Sequence, residues 1–260
     1  MKDIQKEPDY RNTPIDKVGI KNLKYPLKVL DRKNGTQQTI GYINMYVDVP
    51  QENKGTHMSR FVELLHMLQP EISLKTFAVV LDQMKADLNA ESAHMEVTFP
   101  YFMEKKAPVS HTPAYMEYTC KLTGSSKPDG RLDLISEVVV PISSVCPCSK
   151  EISAGGAHNQ RGEVTLAIRS KKFTWIEDMI ELVERASSCD LYSVLKRVDE
   201  KYVTEKGYNN PKFVEDIVRD VAVELKKDSN INWFSISVEN FESIHNHSAY
   251  ATITCGDPRR

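Results

Sequence analysis

Residues 146–161 read Cys-Pro-Cys-Ser-Lys-Glu-Ile-Ser-Ala-Gly-Gly-Ala-His-Asn-Gln-Arg. Two thiols, a lysine, a carboxylate and a histidine stand among polar and small residues, and Gly155 and Gly156 interrupt them. That composition makes a poor packed core and a good loop over a reactive site. The runs on either side, Leu132–Pro141 and Gln160–Arg169, alternate apolar and polar residues as strands do. The stretch therefore reads as the connection between two strands, and the rest of the chain can be laid out from it.

The thiolate of Cys146 or Cys148 and the imidazole of His158 are natural ligands of a borderline-soft cation such as zinc. As bare spacing, a C-x-C followed by a distant histidine is a weak motif. A disulfide between Cys146 and Cys148 needs strained geometry, and Pro147 stiffens the chain between them. Cys120, Cys189 and Cys255 sit singly in apolar or strand-like surroundings and read as structural cysteines.

Working outward, a helix is expected at Thr174–Ala186 and another at Pro211–Lys226, with proline in its first turn. Strands are expected at Trp233–Phe241 and His247–Thr254. The first half shows the same order. Val18–Leu30 reads as an edge strand or one broken early by Pro26, Asn34-Gly35 as a turn, Thr39–Val49 as a strand and Pro50–Thr56 as a loop. Ser59 reads as the cap of a helix through Leu68, ended by Pro70. Ser73 starts a second helix with Leu74, Phe77, Ala78, Leu81, Met84 and Leu88 on one face. Strands follow near Ala93–Met103 and Ala114–Leu122, and Gly124–Gly130 is the expected boundary. The order strand-strand-helix-helix-strand-strand thus occurs twice. This predicts an α+β chain of two modules, residues 13–125 and 126–260, with antiparallel sheets backed by helices and the Cys-Pro-Cys/His site in the second. One module leaves a sheet face open, so pairing of modules within or between chains is expected.

The chain of 260 residues is 40% hydrophobic and 27% charged, with a net charge of −2, as in ordinary soluble globular proteins. No global field draws nucleic acid or an anionic membrane, so neither is an expected partner. Five cysteines without a signal peptide point to the cytoplasm. No apolar run approaches the roughly 18–20 residues of a membrane span. Residues 1–12 are polar and expected to be flexible.

Three further groups bear on chemistry. Glu239, Glu242, His245 and His247 crowd one stretch, and in a strand His245 and His247 would share a face. They suit metal ligation or proton transfer, or simply a solvated strand end. Among Asp199, Glu200, Glu205, Glu215 and Asp216, most are expected to face water. Residues 55–61, Gly-Thr-His-Met-Ser-Arg-Phe, open a helix whose N–H groups, with Arg60, suit a phosphate. No P-loop, G-x-G-x-x-G, G-x-S-x-G or H-E-x-x-H occurs.

Taken with Ser144 and Val145 ahead of it, the 146–161 stretch resembles the signature of the type IB GTP cyclohydrolases. Residues 54–61, residues 239–247 and Ile15-Asp16-Lys17-Val18-Gly19-Ile20-Lys21 are similar to further stretches of that family, and the likeness runs from about residue 12 to 252. Gly162 carries no expectation. The resemblance implies a tunnelling fold, a homotetramer with sites at subunit interfaces, and conversion of GTP and water to 7,8-dihydroneopterin triphosphate and formate, the first step of tetrahydrofolate synthesis. It implies a metal held by Cys146, His158 and Glu200. Such an ion supplies a hydroxide equivalent near neutral pH by lowering the pKa of water from 15.7 to about 7. Zinc is the expected metal, with manganese or iron as alternatives. Cys146 thus belongs to the catalytic set, while Cys148, Glu242 and His245 are candidates for proton traffic at N7, N9 and the ribose. Glu215 is the candidate for the guanine amidine edge. Charge and location offer His57, Arg60, Lys150 and Arg161 to the triphosphate. Each site is expected to combine the Cys146–His158 loop of one subunit with Glu215 or the Glu242–His245 stretch of a neighbour.

Two other readings remain open from the residues. One is a tunnelling-fold enzyme with a cysteine nucleophile, similar to a nitrile reductase, which would consume NADPH and release no formate. The other is a zinc-stabilised binding protein without catalysis, whose metal would be closed by four ligands. Metal stripping separates that reading: loss of folding supports it, and loss of activity with the fold kept supports an enzyme.

Overall fold

A computed structural model describes residue 5, residues 9–67 and residues 71–256; most of the N-terminal stretch expected to be flexible lies outside them, as do Leu68 and Pro70. Strands β1 (Ile15–Asp31) and β2 (Gly35–Val49) are followed by helix α1 (Met58–Met67), the short β3 (Glu71–Ile72), helix α2 (Leu74–Leu88) and strands β4 (Ala93–Lys106) and β5 (Pro113–Ser126). Next come β6 (Leu132–Val145), α3 (Pro147–Ile152), β7 (Asn159–Ser170), α4 (Ile176–Ala186), α5 (Arg197–Asn209), α6 (Val214–Lys227), β8 (Ile231–Asn240) and β9 (Ala249–Cys255). Hydrogen bonding orders the strands β3-β1-β2-β4-β5-β6-β7-β8-β9. No helix among the described residues is long and apolar enough to cross a membrane.

The chain forms two compact units, but they are not its two halves. One comprises residues 1–100 and 121–135, the other residues 101–120 and 136–260. The boundary expected at Gly124–Gly130 is therefore displaced: Gly124 lies inside β5, and the turn is held by Lys127 N–H donating to Arg131 O at 2.9 Å.

In the first unit, alternation fixes which face is buried. Ile43, Met45, Val47 and Val49 of β2 and Met95, Val97 and Phe99 of β4 are at most 4% exposed, as strand period dictates. Phe77, Val80, Leu81 and Met84 of α2 cover them, and Ser73 caps that helix in a reciprocal box with Thr76, as expected. Pro26 sits within β1, opposite Ile40 of β2. β1's other neighbour, β3, pairs only with Lys28 and Val29, so the proline's missing N–H costs no bond to β3. Helix α1 begins at Met58, which places Ser59 inside the first turn rather than at its cap.

In the second unit, β6, β7 and β8 present Val138, Val140, Ile142, Val164, Leu166, Phe234, Ile236 and Val238 to a buried face. Met179, Ile180 and Val183 of α4 and Ile217, Val218 and Val221 of α6 are buried too. Pro211 lies ahead of α6, not in its first turn; Phe213 is the cap, and its N–H donates to Asp216 at 3.0 Å. Helix α5 was not foreseen. It carries no apolar stripe: its buried residues are Asp199 and Gly207. Asp199, expected among solvated acids, is fully buried. It accepts from the backbone N–H groups of Val109, Ser110 and Lys196 at 2.8–2.9 Å and from the Ser110 hydroxyl at 2.6 Å. Burial pushes its carboxyl up, but these donors outweigh that and hold it well below the usual carboxylate range.

Candidate active site

The β6–β7 ladder runs to the pair Val145↔Asn159. One further rung follows, in which Cys146 N–H donates to His158 O at 3.1 Å. The thiol and imidazole bearers are thus set opposite each other by strand register. Between them the chain makes α3, with Cys146 as its cap and Pro147 in its first turn. Ser149 clasps the loop: its hydroxyl donates to Cys146 O at 3.2 Å and accepts from His158 N–H at 3.1 Å. Gly156, at φ +90°, occupies the left-handed region that the return needs.

The His158 ring is held through one nitrogen. Nδ1 lies 3.0 Å from Gln160 Oε1, 3.4 Å from Ser243 Oγ and 4.0 Å from Glu242 Oε2. A proton on Nδ1 donated to Gln160 Oε1 leaves the Nε2 lone pair available, as in metal-ligating histidines. Glu242 therefore stands beside His158 of its own chain. Of the two alternatives for a neighbour's contribution, Glu215 or the Glu242–His245 stretch, this places Glu242 at its own chain's imidazole and favours Glu215. The cause is the exit of β8: Phe241 N–H donates to Arg161 O at 2.9 Å and turns the following residues over the start of β7.

His245 and His247 lie in the loop before β9, exposed, with rings stacked at 5.1 Å and 16°. They face together without a strand, since β9 begins only at Ala249. Glu239 is exposed on β8, opposite Glu163. Cys148 is exposed on α3. Lys150 is engaged: its Nζ donates to Tyr208 O at 2.5 Å and sits 4.4 Å from that ring's centre. Arg161 is exposed on β7, Glu200 in the first turn of α5 and Glu215 in the first turn of α6. His57 and Arg60 belong to the first unit. There Arg60 donates to Asp87 O at 2.6 Å and tethers α1 to the last turn of α2.

The donor chemistry of Cys146 and His158 fits a zinc-type ion, with Gln160 as the outer partner that orients the imidazole. Among the described residues no three His, Cys, Asp or Glu side chains come close enough to hold a metal. Glu200 is not brought into a triad with the other two.

Sequence reading missed Ser149, Gln160 and Ser243, although the first two lie in the opening stretch. It also missed Ser144 and Asn240, buried polar residues at strand ends. A polar residue interrupting an apolar alternation was the available signal.

Comparison with known proteins adds an independent finding. A family model described as type I GTP cyclohydrolase folE2 matches residues 1–251. The chain is 82% identical over 256 residues to the GTP cyclohydrolase FolE2 of Desulfosudis oleivorans, covering 98% of each chain. It is 56% identical over 253 residues to that of Syntrophobacter fumaroxidans, covering 97% of this chain and 98% of the relative. Among solved structures, uricase from Arthrobacter globiformis superposes with a TM-score of 0.56 at 6% identity, covering 95% of each chain. A uricase from Bacillus fastidious gives 0.57 at 6%, covering 92% of each. At such identity the likeness concerns the fold alone, and it is a tunnelling fold.

Proposed function

Since this chain belongs to the type I GTP cyclohydrolase folE2 family, we propose how its own residues divide the work of that reaction. It is an enzyme, a GTP cyclohydrolase of folate synthesis, which takes GTP and water to 7,8-dihydroneopterin triphosphate and formate. We assign it to the type IB division on the stretch 146–161.

In this proposal Cys146 and His158 hold a divalent ion, zinc by the softness of thiolate and imidazole, with manganese or iron as alternatives and Glu200 as third ligand. When bound, that ion supplies a strong nucleophile at neutral pH. Glu215 accepts from the N1–H and amino group of guanine and orients the base. Glu242 and His245 move protons at N7 and the ribose, with Cys148 serving N9. Arg161 takes the triphosphate, and Lys150 joins it by exchanging the Tyr208 carbonyl for phosphate oxygen. Arg60 already serves a helix end, so His57 is the better phosphate ligand of that pair. The enzyme works in the cytoplasm as a homo-oligomer, a tetramer by family resemblance, with Glu215 completing a neighbour's site.

One observation carries the assignment of roles: the β6–β7 register that sets Cys146 against His158, with Glu242 4.0 Å from the imidazole. The test is incubation of purified protein with GTP, scoring formate, a fluorescent pterin after oxidation and bound metal. Turnover by metal-loaded Cys146→Ala at the unsubstituted rate would refute the assignment.

A further inference from the structure

Asn240, 2% exposed, ends β8 and pairs in register with Gly162 of β7. Its side chain does not stop at that neighbour. Nδ2 donates to the hydroxyl of Ser144 on β6 at 3.1 Å, so the amide spans β7 and ties together strands that are not adjacent. The crossing works because the residue beneath is glycine: a Cβ on Gly162 would come within 2.3 Å of Asn240 Oδ1. Gly162, to which sequence reading gave no meaning, is thus the seat of a strut.

Ser144, 0% exposed, is the hub. Its hydroxyl donates to Lys212 O at 2.9 Å, and Lys212 N–H donates to Val145 O at 3.0 Å. Val145 N–H in turn donates to Ser188 Oγ at 3.1 Å. The hydroxyl has one proton and gives it to Lys212, so the group facing it must be a donor. That fixes the amide orientation and leaves Asn240 Oδ1 buried without a hydrogen-bond partner among the described residues. A buried acceptor left unmatched weakens a fold, so stability alone does not account for this choice of residue.

The strut's ends explain it. Cys146 follows Ser144 by two residues, Glu242 follows Asn240 by two, and Glu215 follows Lys212 by three. Gln160, which holds the imidazole of His158, pairs with Ser144 across the β6–β7 ladder. Four chain segments bearing candidate site residues therefore meet at one buried serine.

We propose that Ser144 and Asn240, seated over Gly162, are positioning residues that set the mutual spacing of Cys146, His158 and Glu242, and fix the place from which Glu215 serves the neighbouring site. The inference rests on the site assignment above. Neither residue touches substrate; both act through the backbone segments they lock. A shift of about 1 Å in a reacting group costs about a hundredfold in rate.

The experiment measures kcat and KM for GTP, melting temperature and oligomeric state for Ser144→Ala, Asn240→Ala and the double variant. Phe61→Leu, a buried substitution in the first unit, is the control for lost stability. Expected are kcat losses of about 10- to 100-fold with KM within threefold. The double variant should be no slower than the slower single one, because one unit is broken once. If either single variant keeps kcat within twofold, or loses no more than Phe61→Leu, the proposal is overturned. A change in KM alone, or losses that multiply in the double variant, also overturns it. Should Ser144→Ala fail to assemble, Ser144→Cys, which keeps the volume and weakens the hydrogen bond, is judged by the same limits. Cys146→Ala keeps the two readings apart: its full activity sinks the site assignment, whereas its inactivity beside active strut variants sinks the strut alone.

Discussion

Replacing Lys105 by methionine tests the polar cluster that fastens the tip of the β4–β5 hairpin inside the second unit. Lys105 Nζ lies 2.8 Å from Glu184 and 3.5 Å from Asp190, with those three side chains 11–22% exposed. Tyr118 donates its hydroxyl to Glu184 at 2.7 Å, and Lys206 reaches Asp190 at 3.1 Å. Lys105→Met keeps the aliphatic bulk and leaves two carboxylates facing one ammonium. Removing one partner of a buried pair costs about 3–5 kcal/mol. Here Glu184 keeps Tyr118 and Asp190 keeps Lys206, so the low end applies, about 3 kcal/mol. At about 2–4 °C per kcal/mol, the melting temperature should fall by about 6–12 °C. Adding Glu184→Gln removes the stranded charge yet retains an acceptor for Tyr118. The double variant should therefore recover about 1–2 kcal/mol relative to additivity. The assay is thermal unfolding by circular dichroism at pH 7 and fixed protein concentration, since assembly shifts the midpoint. A fall under 2 °C for Lys105→Met, or strict additivity in the double variant, would refute the reasoning.

Other outcomes follow from the same geometry. His245→Ala should lower kcat by about 10²–10⁴, the scale of a lost general acid or base, and an effect on KM alone would move His245 to binding. Mixed oligomers of Cys146→Ser and Glu215→Ala should regain part of the activity by forming some sites with neither lesion; background rates in proven mixed oligomers would put both residues in one subunit's site. Burial pushes the Asp190 carboxyl up, but Lys105 and Lys206 outweigh it and hold its folded pKa below the ordinary value of about 3.9. Its contribution is thus complete above that value and is lost as pH falls through the lowered one. Asp190→Asn should lose less stability than the unsubstituted protein when denaturant titrations move from pH 5 to about pH 2, and equal losses would contradict the ion-pair account.

What could be read in advance divides by mechanism. The strands were legible because burial on one face writes itself as alternation, as in β2 and β4, and α2 because its apolar stripe and Ser73 cap are local. Helix α5 left no such trace, since it is held by the buried carboxylate of Asp199 and by Lys206 rather than by an apolar face. Cys146 and His158 were visible as residue types, but their opposition depends on strand register. The partners of Tyr118, Asn240 and Asp199 lie far along the chain, so nothing local marked any of them as buried and bonded. Asp199 was misjudged for that reason: an acid among acids looks solvated until its donors are known.

The hairpin tip, residues 101–120, belongs to a unit whose remaining residues begin at 136. During synthesis it leaves the ribosome before any of the groups it will serve. The hydroxyls of Tyr101 and Tyr118 wait for Glu177 and Glu184, and the amides of Val109 and Ser110 wait for Asp199. A chain ending near residue 125 therefore lacks both the close of the first unit, which runs to residue 135, and every carboxylate that the tip will serve. Cutting the gene there yields no pair of autonomous halves either, because in the downstream piece Glu177 and Glu184 would lose their tyrosine hydroxyls and Asp199 would lose its donors from Val109 and Ser110.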